Sequence, residues 1–211
     1  MKTKAIHFIG LTSLFLCILT LAITITINFI PLYSFDLTYF NIPESLGISK
    51  ETIMDNYRIL IDYLNKPWVS ELNMPNFPSS EKGLFHFYEV KKWFLINYSV
   101  AIVSTIGSFF YLRYIKRHEL TWKLIRFFQW GMLMPIVVLI VIGLNFDELF
   151  IAFHELFFNN DAWLFNPSTD SIILALPEAF FMHCFILAFS LIELTMIVGY
   201  FTAKRMAFKK K

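Results

Sequence analysis

The sequence predicts an all-α integral membrane protein. It has four transmembrane helices, N-in and C-in, and an extracellular cap formed by the loops joining spans 1–2 and 3–4. Three observations predict it. The chain is 57% hydrophobic with a mean hydropathy of +0.59, whereas a soluble domain averages roughly 45–50% apolar residues. Charge is missing from windows about as long as a bilayer-crossing helix, which needs roughly 20 residues. Lys and Arg are also concentrated in alternate connecting segments, as positive charge retained in the cytoplasm requires.

Ala5 to Phe35, Trp93 to Leu112 and Phe127 to Phe146 are charge-free, and Ala179 to Ala203 carries only Glu193. These windows set the expected spans at about 5–35, 93–112, 127–146 and 179–203 within a single membrane domain, 1–211, with cap segments 36–92 and 147–178. The first window follows Lys2 and Lys4, as a signal peptide would. It is about twice the roughly 7–15 apolar residues of a cleavable segment, and it lacks a small-residue cleavage site. It is read as an uncleaved span.

Orientation follows from the bases. Lys2 and Lys4 lie at the start, Lys204, Arg205 and Lys209 to Lys211 at the end, and Arg113, Lys116, Arg117, Lys123 and Arg126 between spans two and three against a single acid, Glu119. Asp147 to Glu178 holds six acids and no base, and Asp36 to Lys92 holds eight acids and six bases. Both termini are therefore expected in the cytoplasm and both long loops outside.

Within the first loop, Ile53, Met54, Tyr57, Leu60, Ile61 and Leu64 recur at helical spacing after a Ser49 cap, predicting an amphipathic helix from about Lys50 to Leu64. Asn65 and Pro67 stop it, and Pro67 to Pro78 should be irregular. Helix resumes near Glu81 and places His86, Glu89, Val90 and Trp93 on one face. In the second loop Phe146, Leu149, Phe150, Phe153, Leu156 and Phe157 form another helical stripe with His154 beside it. Ser171 to Leu176 is too short to span and precedes Pro177.

Chemistry points to histidine. Of the five histidines, His7 and His118 belong to the basic side and His183 lies about one turn inside span four. His86 and His154 sit where each long loop meets the bilayer, among aromatics and acids, and an imidazole near pKa ~6.5 is the natural base at neutral pH. His154-Glu155 begins like the zinc motif HExxH, but the second ligand position is Phe158. There is no GxSxG for a serine hydrolase and no glycine-rich phosphate loop. Cys17 and Cys184 lie inside spans without CxxC spacing and read as packing residues. Glu193 is the one acid in a span, for which a hydrogen-bonded structural role is expected. The dense aromatics of the cap have two readings, an interfacial belt or an apolar vestibule for acyl chains.

FHELFFNNDAWLFNPSTDSIILALPEAFF, the earlier EKGLFHFYEVKKWF and the four-span frame resemble the lipoprotein intramolecular transacylase family, Lit, of Gram-positive bacteria. The resemblance extends over nearly the whole chain. It implies a plasma-membrane enzyme with its active site at the outer face. The enzyme would move the sn-2 acyl chain of a diacylglyceryl-cysteine lipoprotein to the α-amino group of the same cysteine, giving the lyso form. It also implies two catalytic histidines, here His86 and His154. Glu89, Glu155, Asn159, Asp161, Trp163, Tyr88, Phe157 and Phe158 are the expected supporting or substrate-binding residues, with Glu155 or Asp161 holding the His154 ring. The expected partners are the lipoprotein substrate and membrane lipids; no metal, cofactor or nucleic acid is expected. The alternatives are a phospholipid-directed lipase or acyltransferase, and a non-catalytic module whose cap binds a partner protein.

Overall fold

The computed structural model describes residues 2–208, so the lysines at 209–211 lie outside it. Among the described residues the chain is helical throughout, with no strand. Four helices are long and apolar enough to cross a membrane: Thr3–Ile27, Glu81–Arg117, Trp122–Leu144 and Glu178–Ala207. The chain divides into two compact units, one of residues 1–26, 97–144 and 185–211, the other of residues 27–96 and 145–184.

The first helix, α1 (Lys2–Ile27), ends well short of Phe35, and α2 (Ile30–Tyr39) begins after a break at Asn28 and Phe29. Pro31 is the reason. Proline lacks an N–H and is tolerated only in a helix's first turn, so it starts a new helix instead of continuing the old one. The charge-free window 5–35 thus holds a spanning helix and the first residues of the second unit.

In that second unit, α3 (Ile42–Leu46) lies between two left-handed residues, Asn41 (φ 51°) and Gly47 (φ 64°). Then α4 (Lys50–Asn65) forms as its periodicity predicts. Ser49 Oγ accepts the Thr52 N–H at 3.1 Å, and Ile53, Met54, Tyr57, Leu60, Ile61 and Leu64 are all buried. Burial of each such side chain contributes roughly 1.5–3 kcal/mol. Lys66 turns extended before Pro67, since a residue preceding proline avoids the helical region. The irregular segment that follows is held by polar ties. Asn56 Nδ2 donates to Asn76 Oδ1 at 2.9 Å, and Asn76 N–H donates back to Asn56 Oδ1 at 3.1 Å. Lys91 Nζ donates to the Val69 carbonyl.

Two further helices, α5 (Glu81–Arg117) and α10 (Glu178–Ala207), contribute to both units. The second unit also holds α8 (Phe146–Phe157) and α9 (Ile172–Ala175). Its core centres on Tyr33, which stacks on Tyr57 at 3.8 Å, meets Phe180 edge-on at 5.1 Å and donates its hydroxyl to the Ala175 carbonyl at 2.8 Å.

In the first unit, α6 (Trp122–Gly131) and α7 (Leu133–Leu144) make up the third apolar stretch. It is interrupted at Met132, so that Pro135 falls in the first turn of α7, where its missing N–H has no partner to lose. Leu14, Ile18, Tyr111, Ile115, Leu124, Phe128, Ile192 and Met196 form that unit's core. Phe128 lies directly against Gly199, where any side chain would collide with its ring.

Candidate active site

The site lies wholly within the second unit, where one face of α5 meets the segment that begins at α8. Gly83, His86, Glu89 and Trp93 recur every three or four residues and so share a face of α5. The opposing segment runs antiparallel along it. Asp170 and Phe165 pack on Gly83, and Phe165 and Phe158 on His86. Asn160 pairs with Glu89, and Phe157 with Trp93. This docking brings together the two histidines expected from sequence: the rings of His86 and His154 are 5.9 Å apart, centroid to centroid.

His154, in the last turn of α8, is half-buried. Its Nδ1 lies 2.7 Å from the Phe150 carbonyl oxygen. A carbonyl only accepts, so Nδ1 carries the proton and, in the neutral ring, Nε2 presents its lone pair. The ring is fixed further by Trp163, stacked at 4.8 Å, and by Phe150 at 4.2 Å. Burial pushes the His154 pKa below its ordinary value of 6.5, while the Phe150 carbonyl works in the opposite direction. The predicted supports, Glu155 and Asp161, are both exposed. Backbone does their work, because one turn of helix already places a carbonyl against Nδ1.

His86 is buried, with Phe158 at 4.7 Å and Phe165 at 5.4 Å, both edge-on. Its Nδ1 is enclosed and has no hydrogen-bond partner among the described residues. A buried imidazole nitrogen left unsatisfied is costly, so its presence here marks a group available to something other than the protein.

The other expected residues divide. Glu89 accepts from Asn160 Nδ2 at 2.9 Å, and Asn160 Oδ1 in turn accepts the Ala162 N–H at 2.9 Å. Asn160, which makes this tie, was not among the expected residues; Asn159, which was, is exposed. The Phe157 ring meets Trp93 edge-on at 5.0 Å, and its carbonyl accepts from Trp93 Nε1 at 3.3 Å. Tyr88 is exposed beneath the Lys92 ammonium, away from both histidines' ring contacts. Among the described residues no three of His, Cys, Asp and Glu converge as a metal would need.

Two polar constellations have no counterpart among the expected site residues. Asp36, fully buried on α2, accepts from His183 Nδ1 at 2.7 Å. The signal was an acid placed just after Pro31, on a helix whose other buried residues are Tyr33 and Leu37. Asp170, 3% exposed, accepts from Ser80 N–H and Oγ and from Thr169 Oγ1. Nothing in local sequence links positions 80 and 170.

The model of the lipoprotein intramolecular transacylase family, Lit, matches residues 8–181. The chain belongs to that family. It is accordingly a membrane acyltransferase. Solved structures of the membrane integral Lit from Bacillus cereus superpose on it. One matches at TM-score 0.91 with 29% identity, covering 96% of this chain and 94% of that one. Two others, carrying a histidine replaced by arginine or by alanine, match at TM-score 0.83 with 29% identity. These cover 96% of this chain and 91% and 92% of theirs. Comparison with curated proteins finds no match.

Proposed function

We propose that the enzyme transfers the sn-2 acyl chain of a diacylglyceryl-modified lipoprotein cysteine to that cysteine's own α-amino group, with His154 as base and His86 as hydrogen-bond donor. The observation that carries this reading is the pairing of a histidine whose tautomer leaves Nε2 open with a buried histidine that lacks a partner, their rings 5.9 Å apart.

The substrate already holds both reactants. A free α-amino group has a pKa of about 7.7–8, so a useful fraction is neutral near pH 7. The amine nitrogen attacks the ester carbonyl carbon, and the new C–N bond makes that nitrogen's proton strongly acidic. His154 Nε2 takes the proton. The carbonyl oxygen, now anionic, accepts a hydrogen bond from the His86 imidazole. As the intermediate collapses, the C–O bond to the sn-2 glycerol carbon's oxygen breaks, and His154 returns its proton there. The products are an amide and a glycerol hydroxyl, and both histidines regain their starting states. Because ester and amine belong to one molecule, a well-oriented pair reaches effective molarities of about 10⁵–10⁸ M. The protein's task is therefore orientation and proton transfer, and the aromatic rings around both histidines suit the acyl chains.

The same reading puts the enzyme in the plasma membrane, with both termini in the cytoplasm and both long loops outside, on the charge partition described above. Glu71 and Glu148 are exposed. Single cysteines there, in a background lacking Cys17 and Cys184, should react with an impermeant maleimide in intact cells, whereas one at Arg117 should not. Labelling of only the Arg117 position would invert the topology.

Mass spectrometry of lipoprotein N-terminal peptides, from cells with and without the enzyme, tests the reaction. A lyso-form signal that depends on the enzyme is expected. Unchanged peptides with altered phospholipids would assign it to phospholipid-directed acyl transfer instead.

A further inference from the structure

We propose that Asp170 is a positioning residue for the reaction, setting the height and rotation of the α5 turn that carries His86. This rests on the assignment of His86 to the chemistry.

Asp170 is an aspartate buried to 3% exposure without a cation beside it in any ion pair among the described residues. Burying a carboxylate this way is costly unless hydrogen bonds compensate. Its donors are Ser80 N–H at 2.8 Å, Ser80 Oγ at 3.0 and 2.9 Å to its two oxygens, and Thr169 Oγ1 at 2.7 Å. Ser80 is also the cap of α5, its Oγ accepting the Gly83 N–H at 3.0 Å. One side chain from the second loop therefore grips the cap residue that starts the helix bearing His86.

The grip extends one turn further. A Cβ on Gly83 would collide with Asp170 Oδ1 and lie 3.6 Å from the Phe165 ring. Gly83 is needed here for close approach, because its backbone is ordinary helix. Phe165 then rests on His86 and Phe87, each at 5.4 Å. The short segment from Phe165 to Asp170 thus packs on the cap, on Gly83 and on His86 in succession. On the far side of His86, Asn160 holds Glu89. The histidine lies between two ties from the same loop.

The role is geometric. Asparagine keeps the acceptor for Ser80 N–H, and its amide can donate to the Ser80 and Thr169 hydroxyls, so it should hold the same position. Alanine cannot. Displacement of a reacting group by about 1 Å can cost about 10²-fold in rate.

The test measures kcat and KM for wild type, Asp170→Ala, Asp170→Asn, Gly83→Ala and His86→Ala in detergent-solubilised enzyme matched for folded fraction. Asp170→Ala should lose at least about tenfold in kcat with KM within about twofold, and Asp170→Asn should stay within about threefold of wild type. Gly83→Ala keeps every donor and acceptor but drives the two elements apart, and should resemble Asp170→Ala; it decides the matter if Asp170→Ala does not accumulate. Wild-type kcat per folded Asp170→Ala or Gly83→Ala molecule would reduce the clamp to a stability element and overturn the proposal. So would an Asp170→Asn enzyme as slow as Asp170→Ala, which would make the charge itself the active property. Should His86→Ala keep its activity, the assignment of His86 fails, whatever the Asp170 variants do.

Discussion

Replacing His154 with alanine should nearly abolish lyso-form product, by about 10²–10⁴-fold, the usual contribution of a positioned general base. His86→Ala should fall in the same range, because the oxyanion loses its donor. The two act on one intermediate, so the double variant should be scarcely slower than either single variant. His118→Ala, far along the chain on the basic side, should retain substantial activity. A substrate acetylated on its α-amino group should not react even with wild-type enzyme, since its nucleophile is gone. pH supplies an independent check on His154. Burial holds its pKa below 6.5, so the base stays neutral down to that pH and is lost only below it. A nuclear magnetic resonance titration, with His154→Ala used for assignment, should therefore give a midpoint under 6.5. The same shift makes the unfolded chain take up the proton first. Stability from this site thus falls as pH drops below about 6.5 and is unaffected above it. Near-normal turnover by folded His154→Ala protein would remove the proposed mechanism and leave the family assignment standing.

His183→Ala should damage stability instead of chemistry. It deletes the hydrogen-bond partner of Asp36, whose other oxygen, Oδ2, is already enclosed without one among the described residues. An unpaired carboxylate at 0% exposure is among the most costly arrangements in a protein. Breaking such a pair costs about 3 kcal/mol or more, or roughly 6–12 °C in Tm for a chain of this size. Those molecules that remain folded should turn over near the wild-type rate. Replacing both partners with leucine should recover much of the loss, because a well-packed apolar pair has no charge to strand. An unchanged Tm in His183→Ala would show that Asp36 does not depend on the imidazole, and a stable protein with lost turnover would bring the pair into the reaction.

Much of this could be read along the chain because it depends on spacing within one element. Three apolar windows without charge and a fourth holding only Glu193 pointed to the four helices long enough to cross a membrane. The 3.6-residue period gave α4 with its Ser49 cap, and the recurrence of His86, Glu89 and Trp93 on one face of α5. The candidate histidines were legible too, since few other residue types titrate near neutrality.

What spacing could not supply is the identity of partners from distant segments. Sequence pointed to Glu155 and Asp161 as supports for His154 because they are charged and near; the fold used the Phe150 carbonyl, which every residue type provides. Sequence did not single out Asn160, which the turn after α8 aims at Glu89. Asp36 with His183 and Asp170 with Ser80 are separated by 147 and 90 positions. Only tertiary packing decides these pairs, because a buried carboxylate accepts whichever donor the fold delivers, and the local chain carries no record of which one that is.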